Sequence, residues 1–169
     1  MAFGMYAASV PVYQRQLTAI SKVLDKAIAW AAAKKVDETV LMGTRLTPDM
    51  LPFSRQVQIA CRFAEESTAR LAGADVPAAP ANAEKTLGEL KARIAAVLAS
   101  VGGYKADQID GSEDKETTIT IAGNPLTLKR AQYLEHFAMP NFYFHCTTTY
   151  AILRQAGVEI GKRDFIGGL

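Results

Sequence analysis

The fold is decided by residues 9–35, which run SVPVYQRQLTAISKVLDKAIAWAAAKK. Seven positions in this stretch recur at alternating steps of three and four residues: Val10, Tyr13, Leu17, Ile20, Leu24, Ala27 and Ala31. This spacing places all seven on one stripe of a helix, so it predicts a long α-helix with one buried face. Ser9 is the expected N-cap, Pro11 fits the first turn, and the charges of Lys34 and Lys35 suit the C-terminal end of the helix dipole.

Two further stretches carry the same spacing, and a fourth carries it with an interruption. The second predicted helix starts at Pro52, stops at Gly73 and buries Phe53, Val57, Ala60, Ala64, Ser67 and Leu71. The third stops at Gly102-Gly103 and buries Ala83, Leu87, Leu90, Ile94, Val97 and Val101. The fourth starts near Leu128, is interrupted by Pro140, resumes with Phe142, Cys146, Thr149 and Leu153, and stops at Gly157. Because residues 141–151 carry no charge except on His145, we expect this segment to be central and buried.

The connections between the helices differ in character. The composition of residues 36–51 predicts a long but ordered loop and not a flexible linker. Residues 74–80 are rich in alanine and proline, which suits an extended crossover. The alternation in Thr117–Thr120, a turn at Gly123-Asn124-Pro125 and a return over 126–128 predict a small β-hairpin between the third and fourth helices. The pattern therefore predicts an all-α four-helix bundle, in a single domain over residues 1–169.

Composition and charge exclude several classes of function. The chain has 169 residues, 49% of them hydrophobic, and 19 basic against 17 acidic residues leave a net charge of +2. No basic stripe suits nucleic acid, so no nucleic-acid partner is expected. No apolar run reaches the roughly 18 residues of a membrane span, and no signal peptide is evident, so we expect no membrane association and a cytoplasmic location. Cys61 and Cys146 lie in apolar helical stretches and are expected to be buried free thiols.

Distinctive short motifs that include polar residues occur along almost the whole chain. They are MYAASVP at 5–11, LDKA at 24–27, RLTPDM at 45–50, RQVQIA at 55–60, ARLAG at 69–73, PNFYFH at 140–145, YAILR at 150–154 and GKRDF at 161–165. Together they resemble a bacterial family of unknown function grouped with the DinB/YfiT-like four-helix bundles. The resemblance implies an up-down-down-up helix order, here with a kink in the fourth helix at Pro140, and a homodimer. It also implies that many relatives bind a divalent metal through three histidines, one on the second helix and two on the fourth, and that some are thiol-dependent transferases or hydrolases.

The sequence departs from that metal-binding pattern. Its only histidines are His136 and His145, and the second helix has none. The two are nine residues apart, which places them on opposite sides of a continuous helix, whereas histidines that share a metal are usually three or four residues apart. Carboxylates could replace the missing ligands, and the nearest are Asp49, Glu65, Glu66 and Glu135. We therefore predict no metal and no other cofactor, with a divalent metal at an atypical site as the alternative.

Two interpretations of His145 remain open. Asn141, His145 and Thr149 form one polar line, which could simply hydrogen-bond the first helix and the 36–51 loop inside the core. Alternatively, a ligand pocket lies at one end of the bundle and is lined by Tyr6, Arg45, Asp49, Gln56, Asn141 and His145. Arg45 and Asp49 could instead pair with each other.

The sequence thus predicts a module that binds an unidentified small molecule or has a structural role. The alternative is a metal-dependent transferase or hydrolase of the DinB-like type. Whether the chain is an enzyme stays open at this point. A homodimer is also favoured by Ile28 and Trp30, apolar residues that lie off the buried stripe of the first helix.

Overall fold

Within the described residues the fold consists of four long helices, four short ones and a two-stranded sheet. The computed structural model describes residues 4–168. The helices are α1 (Val10–Lys34), α2 (Glu38–Gly43), α3 (Phe53–Ala72), α4 (Leu87–Gly102), α5 (Ala106–Ile109), α6 (Arg130–Tyr133), α7 (Met139–Gln155) and α8 (Lys162–Ile166). None of the helices within the described range combines the length and the apolar character needed to cross a membrane.

Side-chain contacts fix the directions of the four long helices. Tyr13, near the start of α1, lies 2.8 Å from the hydroxyl of Ser67 near the end of α3, so these two helices are antiparallel. Gln58, near the start of α3, donates to Glu84 just before α4 at 2.8 Å, so α3 and α4 are parallel. The rings of Tyr13 and Phe142, near the start of α7, lie 4.8 Å apart, so α1 and α7 are parallel. The helices therefore run up, down, down and up.

The parallel pair requires a long return connection. Residues 73–86, here called the crossover segment, join the end of α3 to the start of α4. An extended chain of that length spans about 46 Å, more than the roughly 30 Å length of α3, so it can run back along the helix. Arg62 donates to the carbonyl of Pro77 at 2.7 Å and Arg93 to that of Ala81 at 2.6 Å, and these bonds hold the segment on α3 and α4.

The buried stripes predicted from the sequence form the core, with one exception. Every member of the first, second and fourth stripes is buried, but Ala83 in the third is exposed and lies in the crossover segment. The reason is that α4 starts later, where Thr86 caps it: the Thr86 hydroxyl accepts from the Glu89 amide at 3.1 Å. Ser9 is the N-cap of α1 as predicted, but its hydroxyl donates to Met5 O at 2.6 Å and does not accept from the helix.

The predicted interruption of the fourth helix is a π-helical turn. It spans Leu134–Ala138, between α6 and α7, and Pro140 follows in the first turn of α7, where a missing N–H costs little. The expectation that residues 141–151 are wholly buried is wrong. Tyr143 is 40% exposed and Phe144 54% exposed.

The predicted hairpin is confirmed, with its turn placed slightly earlier. Strands β1 (Glu116–Ile121) and β2 (Asn124–Lys129) pair antiparallel. The turn is Ala122-Gly123, both with positive φ (48° and 84°), which is the conformation that two-residue hairpin turns favour. Asn124 and Pro125 therefore belong to β2 and not to the turn.

The two apolar residues that favoured a dimer through α1 are half-buried. Ile28 and Trp30 both pack against the core. The Trp30 indole lies beside Gly157, where a Cβ would be only 3.6 Å from its Cζ2 atom. Trp30 therefore contacts the segment that follows α7.

Candidate functional site

His145 meets Gln56 where α7 packs against α3. Its Nδ1 atom lies 2.7 Å from Gln56 Oε1. The other end of the Gln56 amide donates from Nε2 to the carbonyl of Leu51 at 2.9 Å, which directs the amide oxygen at the imidazole. Since an amide oxygen can only accept, Nδ1 carries the proton and Nε2 is the ring nitrogen with a free lone pair.

Aromatic side chains surround this imidazole. Phe63 of α3 stacks on it at a centroid distance of 6.0 Å and an angle of 18°, and Phe144 meets it edge-on at 5.2 Å and 90°. Burial among these rings disfavours the charged form and lowers the pKa of His145 to about 4. His145 is therefore neutral at pH 7. With so low a pKa it is a weak base, and its chemical use is as a hydrogen-bond acceptor.

The Nε2 atom of His145 is open to solvent. It makes no hydrogen bond to any residue in the range 4–168, and within that range only Arg130 Nε is both buried and without a partner. Its surroundings include an exposed apolar ring, because Phe144, edge-on to the imidazole, is 54% exposed. The arrangement therefore offers one fixed acceptor within an apolar surface, which suits a partly apolar molecule that carries an O–H or N–H group.

The 44–52 loop carries two of the predicted pocket residues, Arg45 and Asp49. Arg45 donates to the carbonyl of Met50, and Asp49 accepts from the Thr47 hydroxyl at 2.8 Å. No ion pair joins Arg45 and Asp49 in the part of the chain that the structure describes. Both side chains therefore bond within their own loop. The loop is linked to His145 indirectly, because its Leu51 carbonyl accepts from Gln56, which in turn bonds His145.

The remaining predicted residues have other partners. The Tyr6 backbone donates to Asp110 Oδ1 at 2.8 Å, which ties the N-terminal segment to the end of α5. Asn141 donates to Phe137 O in the preceding π-helical turn at 2.7 Å, and Thr149 donates to His145 O within α7 at 2.8 Å. Contrary to expectation, the described side-chain bonds of Asn141, His145 and Thr149 do not lead to the first helix. Of the six predicted pocket residues, the structure brings Gln56 and His145 into direct contact.

The side chains around His145 do not fit a metal centre. Its Nδ1 proton is given to Gln56, and 2.7 Å is a hydrogen-bond distance that leaves no room for a metal between the two atoms. His136 is 72% exposed, and its ion-pair partner is Glu135 at 3.9 Å. Among residues 4–168 no group of three or more histidine, cysteine, aspartate or glutamate side chains is placed to hold a metal ion.

The carboxylates that could have replaced a histidine have other contacts. Glu66 binds Arg62 at 3.1 Å and Arg70 at 2.7 Å, and Glu65 lies 3.9 Å from Arg62. Asp49 is held by Thr47, as described above. None of these carboxylates is bonded to His145.

The two cysteines are buried free thiols, as predicted. Burial raises the pKa of Cys61 to about 12 and that of Cys146 well above its ordinary value, so neither is a thiolate at neutral pH. The nucleophilic thiol that a thiol–imidazole pair requires is therefore not provided by Cys146, although it adjoins His145 in the chain.

The aromatic frame of the site was not predicted. Phe63 lies seven residues after Gln56 and therefore on the same face of α3. That spacing was the available signal for Phe63. Phe144 had no such signal, because its position follows from how α7 is rotated against α3.

Comparison with known proteins agrees with this architecture. The profile of a domain of unknown function (DUF1993) matches residues 5–166. The crystal structure of a DinB family member protein from Shewanella denitrificans is similar to this chain at 37% sequence identity, with a TM-score of 0.88, over 98% of this chain and 93% of that one. No curated protein matches the sequence significantly.

Proposed function

Because the chain belongs to the DUF1993 family, within the DinB-like helical bundles, we propose that it binds a small molecule at His145. The ligand is an uncharged, partly aromatic or alkyl compound with an O–H or N–H group. His145 Nε2 accepts its hydrogen bond, and Phe63, Phe144 and Leu51 contact its apolar part. With two histidines in the whole sequence, the chain cannot by itself supply the three-histidine set that the resemblance implies for many relatives.

The observation that carries the proposal is the fixed tautomer of His145. The buried Gln56 amide holds the proton of His145 on Nδ1, an arrangement that a histidine without a function does not require. Nε2 therefore remains as a hydrogen-bond acceptor. An uncharged acceptor within aromatic walls favours a neutral donor over an anion, since the imidazole offers no positive charge above its pKa of about 4.

The other predicted pocket residues enter the proposal as an outer rim. Arg45 and Asp49 belong to the loop whose Leu51 carbonyl anchors Gln56, so a ligand at Nε2 would lie near that loop. Asn141 precedes His145 by one turn of α7. Tyr6 has the least support as a rim residue, because its backbone N–H donates to Asp110 and not to the loop or to His145.

Phenol and toluene test the proposal as a matched pair, because toluene carries a methyl group where phenol carries its hydroxyl group. The protein is labelled with ¹⁵N, and the imidazole nitrogens are followed in long-range proton–nitrogen spectra during titration with each compound. We expect phenol to shift the His145 Nε2 resonance, and we expect a much smaller effect from toluene or in the Gln56→Leu variant. His136→Gln is the control and should bind phenol as the parent does.

Two results would contradict the proposal. Equal binding of phenol by His145→Gln would place the ligand elsewhere. A stoichiometric transition metal in protein purified without a histidine tag would favour the metal-dependent alternative.

We also infer a homodimer, a cytoplasmic location and a single domain over residues 1–169, as the sequence predicts. Tyr143 and Phe144, both exposed on α7, support a dimer through that helix better than the half-buried Ile28 and Trp30 do. Light scattering after size-exclusion chromatography tests the dimer. Tyr143→Glu should convert it to a monomer if α7 is the interface.

A further inference from the structure

A cavity lies on the opposite side of α3 from His145, between that helix, α4 and the crossover segment. Its volume is about 530 Å³, and none of the residues around His145 lines it. Ala92, Ala96 and Val97 of α4 form apolar walls, while Ala78 and Pro80 belong to the crossover segment. Small side chains on α4 leave this space open, so the cavity results from the sequence of α4 and from the path of residues 73–86.

One buried ion pair closes one side of the cavity. Arg93 binds Glu84 through Nε and the carbonyl of Ala81 through Nη2, and Gln58 donates to Glu84 at 2.8 Å. The Arg93 side chain is only 8% exposed. Its Nη1 makes no hydrogen bond to any residue in the range 4–168, yet it is not among the buried atoms without a partner. Nη1 is therefore not fully buried, and Arg93 is one of the residues that line the cavity.

Glu65 is the carboxylate in this cavity with unused hydrogen-bonding capacity. Its side chain is 17% exposed, and its nearest cation is Arg62 at 3.9 Å, a residue whose Nε is held at 3.1 Å by Glu66. No side-chain hydrogen bond reaches Glu65 within the described range, although an ionised carboxylate can accept several. Glu89, the third acid, is already occupied because it accepts from the backbone at the start of α4.

The charges in the cavity sum to a negative value. Glu84 neutralises Arg93, which leaves Glu65 and Glu89 without a cation of their own among the lining residues. A partly buried carboxylate without a close partner favours a cation, and its hydrogen bonds to a charged group are stronger than neutral ones. The free Arg93 Nη1 adds a donor on the same cavity.

We propose that this cavity binds a small organic cation that also carries a hydrogen-bond acceptor. Glu65 contacts the ammonium or guanidinium group, Arg93 Nη1 donates to the acceptor, and the short apolar part lies on Ala92, Ala96 and Val97. This site is separate from the proposed site at His145, so the two can succeed or fail independently.

The compound 4-aminobutanamide is a suitable probe, because it has an ammonium group, three methylenes and a carbonyl oxygen. Butanamide lacks only the ammonium group and is the matched control. Each is titrated into the full ¹⁵N-labelled chain, and backbone amide shifts are recorded. We expect 4-aminobutanamide to shift the amides of Ala92 and Ala96, with binding at least about tenfold stronger than that of butanamide.

Two variants test the two walls of the cavity. Glu65→Gln should weaken binding of the cation at least about tenfold, while Glu116→Gln, at an exposed strand residue, should not change it. Ala92→Leu should block binding by filling the space from the α4 side. Any one of four results would overturn the proposal. These are equal affinity for the two compounds, unchanged binding by Glu65→Gln, unchanged binding by Ala92→Leu, and no shifts at Ala92 and Ala96 at about 10 mM probe.

Discussion

The imidazole of His145 and the carboxamide of Gln56 meet across α7 and α3, with 2.7 Å between Nδ1 and Oε1. Gln56 is buried and itself held by the Leu51 carbonyl, so the contact has a fixed direction of donation. It defines both the tautomer of neutral His145 and the ring nitrogen left for a ligand. The first two predictions follow from this contact.

The free energy of unfolding should decrease as the pH is lowered, because of His145. The folded pKa of about 4 lies below the ordinary 6.5, so between these values the unfolded chain takes up a proton that the native one does not. The contribution is complete above pH 6.5 and is lost as the pH falls toward 4, with a slope of at most about 1.4 kcal/mol per pH unit. Urea unfolding at several pH values measures it.

The second histidine supplies the control for this measurement. His145→Gln should flatten the pH dependence between 6.5 and 4, whereas His136→Gln, at a side chain that is 72% exposed, should keep it. Identical slopes for the parent and His145→Gln would show that His145 is not the group responsible.

Gln56→Glu should raise the pKa of His145. A carboxylate at this hydrogen-bond distance favours the charged imidazolium, which opposes the effect of burial. Proton NMR titration of the imidazole measures the change. Gln58→Glu is the matched control, because Gln58 bonds Glu84 on the α4 side of the same helix, and it should leave the His145 titration unchanged.

The buried hydroxyl pair of Tyr13 and Ser67 should behave cooperatively. The Ser67 hydroxyl bonds the Tyr13 hydroxyl, 2.8 Å away, and also Phe63 O. Ser67→Ala leaves the Tyr13 hydroxyl without its hydrogen-bond partner in the core and should cost about 1–3 kcal/mol of unfolding free energy. Tyr13→Phe should cost less. In urea unfolding, the double variant should lose less than the two single losses added together; strict additivity would contradict the hydrogen bond.

Gly73→Ala should destabilise the chain more than Gly111→Ala. Both glycines have positive φ, 71° and 78°, so each substitution carries a backbone cost of about 1 kcal/mol. At Gly73 a Cβ would also lie 2.6 Å from Arg130 Nη2, whereas nothing lies within 4 Å at Gly111. Moving that guanidinium strains its 3.0 Å bond from Nη1 to Leu71 O at the end of α3. Thermal unfolding of both variants measures the difference; equal losses would mean that Arg130 moves freely.

Much of the fold followed from local patterns. The three-and-four spacing predicted which faces of the long helices are buried, because burial of one stripe is the only arrangement that removes those side chains from water. Leu17 and Leu153 are fully buried for this reason. The pattern failed at two positions. Ala83 continues the spacing of the third stripe but is exposed, because α4 starts only after it. Phe144 lies in a segment that carries almost no charge, yet it is 54% exposed.

The candidate site was predicted only in part. The polar side chains of Gln56 and His145 predict a site, and the structure joins them. Arg45 and Asp49 are predicted on the same chemical grounds, but loop geometry directs them to Met50 and Thr47. Short-range bonds of this kind depend on backbone dihedral angles in a loop, which residue types restrict only loosely.

By itself, the sequence determined the four amphipathic helices, the hairpin and the lack of a three-histidine set, since each depends on residue spacing or on a count. Only the tertiary structure decided that His145 meets Gln56 and that Glu65 and Arg93 line one cavity. Contacts between helices depend on how each helix is rotated and shifted against its neighbour. The parallel course of α3 and α4 is such a case, because it follows from the path of the crossover segment, which the buried stripes do not specify.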